Sequence, residues 1–296
     1  MSFAAHVTAQ QNSDANIRKY GMDSLTPKVS EKNIVTWYLN DDPPTMIVNG
    51  EDQGQGFIDR ILYLLEQEMP EHEFVFVSAT FPRALHDIKL GKEVCYPALF
   101  KTEQRKAFVA FTQMSIMHPS NYITMSRQLA EQLDIKEQVD LLELMQNRKL
   151  IFGLESQRSF GFELDSLLQD SEYINKAGNV IRMRVSETAM NKYRMLVRGR
   201  IDYILDYPFE TYYSLGKLAR ADDFVSFPIA HTPQFTMGAI GCAKTPWGED
   251  VVRHLDRALS KVKGSPEYKE ALTAWLQEFV VDERFEDFYQ QHFLTQ

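Results

Sequence analysis

Between Asn33 and Leu99 the hydrophobic pattern switches back and forth between strand and helix periods, with glycine and proline marking each switch. NIVTWYL at Asn33–Leu39 is a β-rich apolar run. It is closed by Asn40-Asp41-Asp42-Pro43-Pro44, a cluster that no helix or central strand tolerates. Asn49–Gly56 reads as a loop, after which Phe57, Ile61, Leu62, Leu64 and Leu65 recur at helical spacing and stop at Pro70. Phe74–Val77 predicts a second strand, Pro82 opens a helix that Gly91 closes, and Val94–Leu99 predicts a third strand. Strands and helices alternating at this pace need crossover connections, and crossovers build a parallel sheet covered by helices.

The same order of elements returns later. Tyr122–Met125 reads as a short strand, with helical pieces over Leu129–Leu144. Leu150–Leu154 starts a second α/β series: a helix with Phe162, Leu164 and Leu168, a strand at Asn179–Val185, a helix at Ala189–Val197, and a strand at Ile201–Leu205. Thr236–Ala243 reads as a late strand, and Val251, Leu255, Ala258, Leu259 and Val262 mark an amphipathic helix. There is no repeat of fixed period. The recurring order predicts two similar lobes joined by two crossing segments, near Gln113–Tyr122 and Phe235–Ala243. The expected division is lobe 1 over 33–115 and 244–296, lobe 2 over 116–243, and a signal remnant or flexible arm over 1–32. A chain of 296 residues suits two lobes of about 100–150 residues each.

Composition narrows the function classes. A formal net charge of −9 argues against a nucleic-acid binder, which needs a basic stripe. No run approaches the ~18 apolar residues of a membrane span. MSFAAHVTAQ at the start has the small-x-small look of a secretory signal's tail, and equally reads as an arbitrary polar terminus. The two cysteines, Cys95 and Cys242, leave one intramolecular disulfide as the only pairing, which an oxidising compartment would permit. Both lie in apolar strand-like runs, and that context favours two buried free thiols. His-x-x-x-His, Cys-x-x-Cys, Gly-x-Ser-x-Gly and phosphate-loop patterns are missing, so no metal, cofactor or catalytic residue is implied.

In parallel α/β sheets, ligands bind where strands give way to loops at their carboxyl ends. Four such loops contain candidate residues: Trp37 and Asp42 after the first strand, Tyr96 and Arg105 around the third, Ser156 and Arg158 in the second half, and Asp206 and Tyr207 after the late strand. A guanidinium fork such as Arg105 matches a carboxylate in two parallel hydrogen bonds. Ser156, Arg158 and Ser159 sit between a strand and a helix, where backbone N–H groups favour an anion and where a serine also serves as a helix cap. Trp37, Tyr96 and Tyr207 could stack on a ligand or line an apolar wall. Asp42 could meet a cation or an amine, or simply form the turn before proline.

Gly91-Lys92, Thr102-Glu103-Gln104-Arg105 and Phe111-Thr112-Gln113-Met114 together resemble the first-lobe signature of the periplasmic solute-binding proteins of the polar-amino-acid type, family 3. Gly199-Arg200-Ile201-Asp202 is similar to the gly-x-x-asp strand of their second lobe, and Gly56-Phe57 also fits. The resemblance runs over about Ile34 to Trp275 and implies an α/β fold of the two-lobed type II periplasmic binding protein class, each lobe a mainly parallel sheet flanked by helices. It implies that Arg105 grips a ligand carboxylate, and that an acid near Asp206 or Tyr207 meets an amino group. There are departures. Tyr96-Pro97-Ala98-Leu99-Phe100 stands where the family carries small hydroxyl residues, and Glu155-Ser156-Gln157 stands where it carries a gly-thr-thr turn.

The function so implied is capture of a small polar, carboxylated ligand, an amino acid or organic acid, by hinge closure in the periplasm. A monomer is expected, with a membrane permease of the ABC type as partner. The alternatives are a ligand-sensing module of a membrane signalling protein, or an enzyme like the cyclohexadienyl dehydratases, which resemble the same superfamily.

Overall fold

The computed structural model describes residues 33–156, 160–170, 178–184, 190–276 and 280–296. The expected arm at 1–32 lies outside them, as does Arg158. Ten strands are described: β1 Asn33–Leu39, β2 His72–Ser78, β3 Val94–Leu99, β4 Val109–Pro119, β5 Tyr122–Ser126, β6 Phe152–Ser156, β7 Val180–Arg184, β8 Tyr203–Asp206, β9 Phe224–Pro228 and β10 Phe235–Ala243. The described helices are α1 Phe57–Gln67, α2 Phe81–Lys89, α3 Glu103–Lys106, α4 Arg127–Gln132, α5 Leu141–Gln146, α6 Phe162–Asp170, α7 Met190–Val197, α8 Pro208–Lys217, α9 Pro246–Val262, α10 Pro266–Thr273 and α11 Glu283–Phe288.

The strands form two five-stranded sheets, ordered β2-β1-β3-β10-β4 and β7-β6-β8-β5-β9. In the first, β1 pairs parallel with β2 and β3, while β10 runs antiparallel to β3 and β4. In the second, β6 pairs parallel with β7 and β8, while β5 runs antiparallel to β8 and β9. Each sheet is thus a parallel trio extended by two strands: an antiparallel one, β10 or β5, that adjoins a crossing, and beyond it β4 or β9, which runs the same way as the trio. The crossings are tighter than expected. All of β10 belongs to the first sheet, and β4 continues to Pro119 in register with Phe235. The chain therefore passes between sheets at 120–121 and 229–234, and the two passages meet where Ser120 N–H donates to the Gln234 carbonyl at 2.9 Å.

Apolar periodicity explains the packing. Val35, Trp37 and Leu39 of β1 are buried with Phe57, Ile58, Ile61, Leu62 and Leu65 of α1 and with Val251, Leu255 and Leu259 of α9 in one core. The start of α9 is closed down by Thr245, which accepts from Gly248 N–H at 3.2 Å, and by Pro246 at the first position. A Cβ at Gly248 would lie 1.9 Å from the Ala243 carbonyl oxygen, so only glycine lets the helix turn so tightly off β10. In lobe 2 the strand period divides β8: Tyr203 and Leu205 join one core, Ile204 the core on the other face.

Two expectations are corrected here. Cys95 and Cys242 are a disulfide, not free thiols: β3 and β10 run antiparallel with these two residues opposite each other. Trp37 is not a ligand wall; it is fully buried in the lobe 1 core, tilted against Phe74 with ring centroids 5.2 Å apart. Pro97 stands inside β3, a position proline seldom occupies, beside the register shift between Ala239 and Gly241 of β10, where a missing N–H disturbs the ladder least.

Lys263, at the end of α9, is almost fully buried and donates to the Gln296 carbonyl at 2.8 Å over the Phe293 ring. Burial, reinforced by the neighbouring charge of Lys101, pushes its pKa down to about 8. The unfolded lysine keeps the ordinary value near 10.5, so the unfolded state holds more protons between these limits and stability rises with pH across that window. Below about pH 8 the whole penalty, on the order of 3 kcal/mol, is present. Lys263→Met is therefore expected to gain more relative to the wild type at pH 7 than at pH 10.5. Thermal denaturation of both proteins at the two pH values checks this, and a difference independent of pH would contradict it.

Candidate functional site

The carboxyl ends of β1, β3, β6 and β8 converge where the lobes meet. Arg105 is placed by α3, a single turn whose Thr102 caps the Arg105 N–H at 3.2 Å. Its side chain is half-buried; one guanidinium nitrogen donates to the Phe100 carbonyl at 3.2 Å, and the group lies 5.5 Å from the Phe81 ring centre. Burial lowers its pKa from the usual guanidinium value, with Tyr96 pulling the other way, yet a guanidinium stays charged at neutral pH. Among the described residues no carboxylate lies within ion-pairing distance of it. A charge held out of water with donors unspent is prepared for an anionic partner.

Tyr96 is buried, its hydroxyl donating to Asn40 Oδ1 and its ring meeting Phe81 edge-on at 5.3 Å. Burial raises its pKa strongly, and the charges of Asp42 and Glu210 raise it further while Arg105 opposes them. Asp42, Tyr96, Arg105 and Glu210 thus share one electrostatic neighbourhood, drawn from both lobes. The Asp42 backbone also closes the turn after β1 through Met46, and Asp41 Oδ1 accepts from Val48 N–H at 3.1 Å.

Asp206 and Tyr207 part ways at the end of β8. Asp206 is fully buried and faces α7, where Lys192 lies 2.7 Å from its Oδ2 and the Tyr193 hydroxyl also bonds to it. Lys192 in turn holds Glu155 at 3.2 Å. Tyr207 leaves the sheet as the cap of α8, stacks on Phe209 at 5.2 Å and meets His118 of lobe 1 at 4.6 Å. The one-residue step between them sends their side chains to opposite sides. The structure describes only the backbone of Ser156, the last residue of β6.

A cavity of about 40 Å³ lies at the crossings, lined among others by Phe100, Ser120, Asn121, Phe160, Tyr207 and Thr236. Phe100 joins it to Arg105. The sequence reading named neither Ser120 nor Asn121: their place depends on β4 and β10 pairing across more than a hundred residues, which no local pattern signals.

Helix α8 also ties the lobes together. Phe209 meets Phe57 edge-on at 5.6 Å. Farther along, Lys217 Nζ lies 2.7 Å from Asp52 Oδ2, and the Tyr213 hydroxyl donates to the same oxygen at 3.0 Å. The Tyr213 ring stands 5.2 Å from that of Trp275, whose indole N–H donates to the Gln55 carbonyl at 2.8 Å.

No helix among the described residues is long and apolar enough to cross a membrane. Several solved structures share the fold. A substrate-binding protein of an ABC uptake transporter from Streptococcus pneumoniae, with bound histidine, is 14% identical with a TM-score of 0.63 over 83% of this chain and 94% of its own. A Salmonella typhimurium periplasmic binding protein of high arginine specificity is 18% identical with a TM-score of 0.59 over 83% of this chain and all of its own. A histidine kinase sensor domain similar to periplasmic binding proteins is 14% identical with a TM-score of 0.62 over 83% of this chain and 96% of its own. Curated proteins give no match by sequence. The family model matches residues 34–295, nearly all of both lobes, and the chain belongs to the bacterial extracellular solute-binding proteins, family 3.

Proposed function

We propose that this protein captures a small polar solute bearing a carboxylate, between its lobes and outside the cytoplasm, for uptake by an ABC-type permease. The observation that carries the reading is Arg105: a half-buried guanidinium at the carboxyl end of a parallel strand, beside the cavity wall, with no carboxylate among the described residues close enough to pair with it. A ligand touching both lobes favours the closed arrangement by its differential affinity for it. The disulfide supports an oxidising compartment. A second reading, a sensory module, is favoured by the likeness to a histidine kinase sensor domain.

A thermal-shift screen of amino acids, organic acids and short peptides tests the reading. A true ligand at a hundred times its Kd is expected to stabilise by about 2.7 kcal/mol, a clear rise in melting temperature. No shift with any of these carboxylates, or an equal shift when the ligand's carboxylate is blocked as an amide, would refute it.

A further inference from the structure

Asp52 lies in the loop between β1 and α1, on lobe 1. Among the described residues its carboxylate is held only by the other lobe: Lys217 Nζ stands 2.7 Å from Oδ2, and the Tyr213 hydroxyl donates to the same oxygen at 3.0 Å. Tyr213 and Lys217 are one turn apart on α8 and share a face, and the ammonium also lies 5.3 Å from the Tyr213 ring centre. Lys217 pulls the Asp52 carboxyl below its usual range, and Asp52 in turn pushes the ammonium up, so both are charged at neutral pH. Glu51, the neighbouring loop residue, adds to the attraction.

The place of this contact gives it leverage. Helix α8 starts from Tyr207, which meets His118 beside the crossings. Lys217 comes at the other end of the helix, roughly 15 Å farther on. A rotation about the crossings moves atoms in proportion to their distance from the axis, so opening parts Lys217 from Asp52 by more than it parts Phe209 from Phe57. Asp52 is also held ready. Gly54 N–H donates to the Ile47 carbonyl at 2.8 Å, and the Trp275 indole N–H holds the Gln55 carbonyl, so the loop that carries the carboxylate is tied to its own lobe on that side. Closure then has little loop entropy left to remove.

We infer that Asp52, Tyr213 and Lys217 form a latch across the seam that biases the lobes toward closure without help from a solute. The inference rests on the reading that a solute is captured between the lobes, and adds what governs that capture. Every group in the contact belongs to the chain, so the latch acts alike whatever is bound. An exposed ion pair joined by a charge-assisted hydrogen bond shifts such an equilibrium by about fivefold. Where the open form prevails, apparent affinity changes by that same factor for every solute.

Small-angle X-ray scattering tests it on exhaustively dialysed protein with no solute added. Asp52→Lys sets two cations against each other and is expected to raise the radius of gyration above that of the wild type. The double reversal, Asp52→Lys with Lys217→Glu, restores the attraction and is expected to bring the radius most of the way back. A radius unchanged or smaller in Asp52→Lys would overturn the inference. So would a double reversal no more compact than the single one, because exchanging the charges rescues a latch and not a contact that merely supports the fold. Should Asp52→Lys fail to fold, Asp52→Asn and Lys217→Met are measured in its place; each is expected to expand the protein, with the pair together expanding it no further, and an unchanged radius in both overturns the inference. None of these measurements involves a bound solute, so a latch that fails leaves the carboxylate reading standing. Arg105→Ala, which tests that reading, is expected to leave the solute-free radius unchanged.

Discussion

Arg105→Ala is expected to weaken ligand binding by at least about 2 kcal/mol, roughly thirtyfold, the scale for truncating a buried charge-assisted pair. The magnitude follows from where the guanidinium sits. Half-buried beside the Phe81 ring and the Phe100 carbonyl, it has already lost much of its water, so a ligand carboxylate meets it without the full desolvation cost. Arg105→Lys keeps the charge but not the fork, and is expected to fall between alanine and wild type. Folding should hardly notice either change, because the side chain leaves a one-turn helix and, among the described residues, makes a single hydrogen bond, to a backbone carbonyl. Calorimetry with a compound found by thermal shift measures the loss. Unchanged affinity in a folded alanine variant removes Arg105 from the site.

Replacing both Cys95 and Cys242 with alanine is expected to cost about 2–5 kcal/mol of stability. The disulfide spans 147 residues, a loop that takes in all of lobe 2 and, from lobe 1, only β3, α3, β4 and most of β10, so its loss frees a very large loop in the unfolded chain. Both cysteines are fully buried, so reductant alone should not reach the bond while the protein stays folded. Denaturant titration of oxidised wild type, reduced wild type and the double variant separates these effects. Equal stability of all three would show that the bond contributes nothing. The bond also matters for the site, because Cys95 precedes Tyr96 on β3, the strand that leads to Phe100 and Arg105.

The architecture was legible because its determinants are local. Pro70, Gly91 and the Asp42-Pro43-Pro44 turn end elements wherever they occur, and the spacing along α1 and α9 declares which side is buried. The carboxyl-end rule then named loops of which those after β1, β3 and β8 lie near one another in the structure. Single residues within those loops were harder. Trp37 looks the same in sequence whether it faces a core or a cleft, and the packing of Phe74 decides it. Asp206 and Tyr207 are neighbours whose roles divide on which side of β8 the chain turns, and Lys192 settles where Asp206 points. The disulfide, the one pairing open to two cysteines, lost out to free thiols because apolar context cannot reveal that β3 and β10, far apart in the chain, lie side by side. Asn121 escaped for the same reason.

Helix α8 of lobe 2 rests on the Asp52 loop and on Trp275 of lobe 1. Of the three tryptophans, Trp37 is sealed in a core and Trp247 packs beside it, both within one lobe. Trp275 alone has its indole against a tyrosine from the other side of the seam. Separation of the halves would wet that indole and leave the other two as they are. Native emission, with Trp275→Phe as the blank, therefore gives this molecule a built-in optical gauge of how far it gapes, with no dye attached.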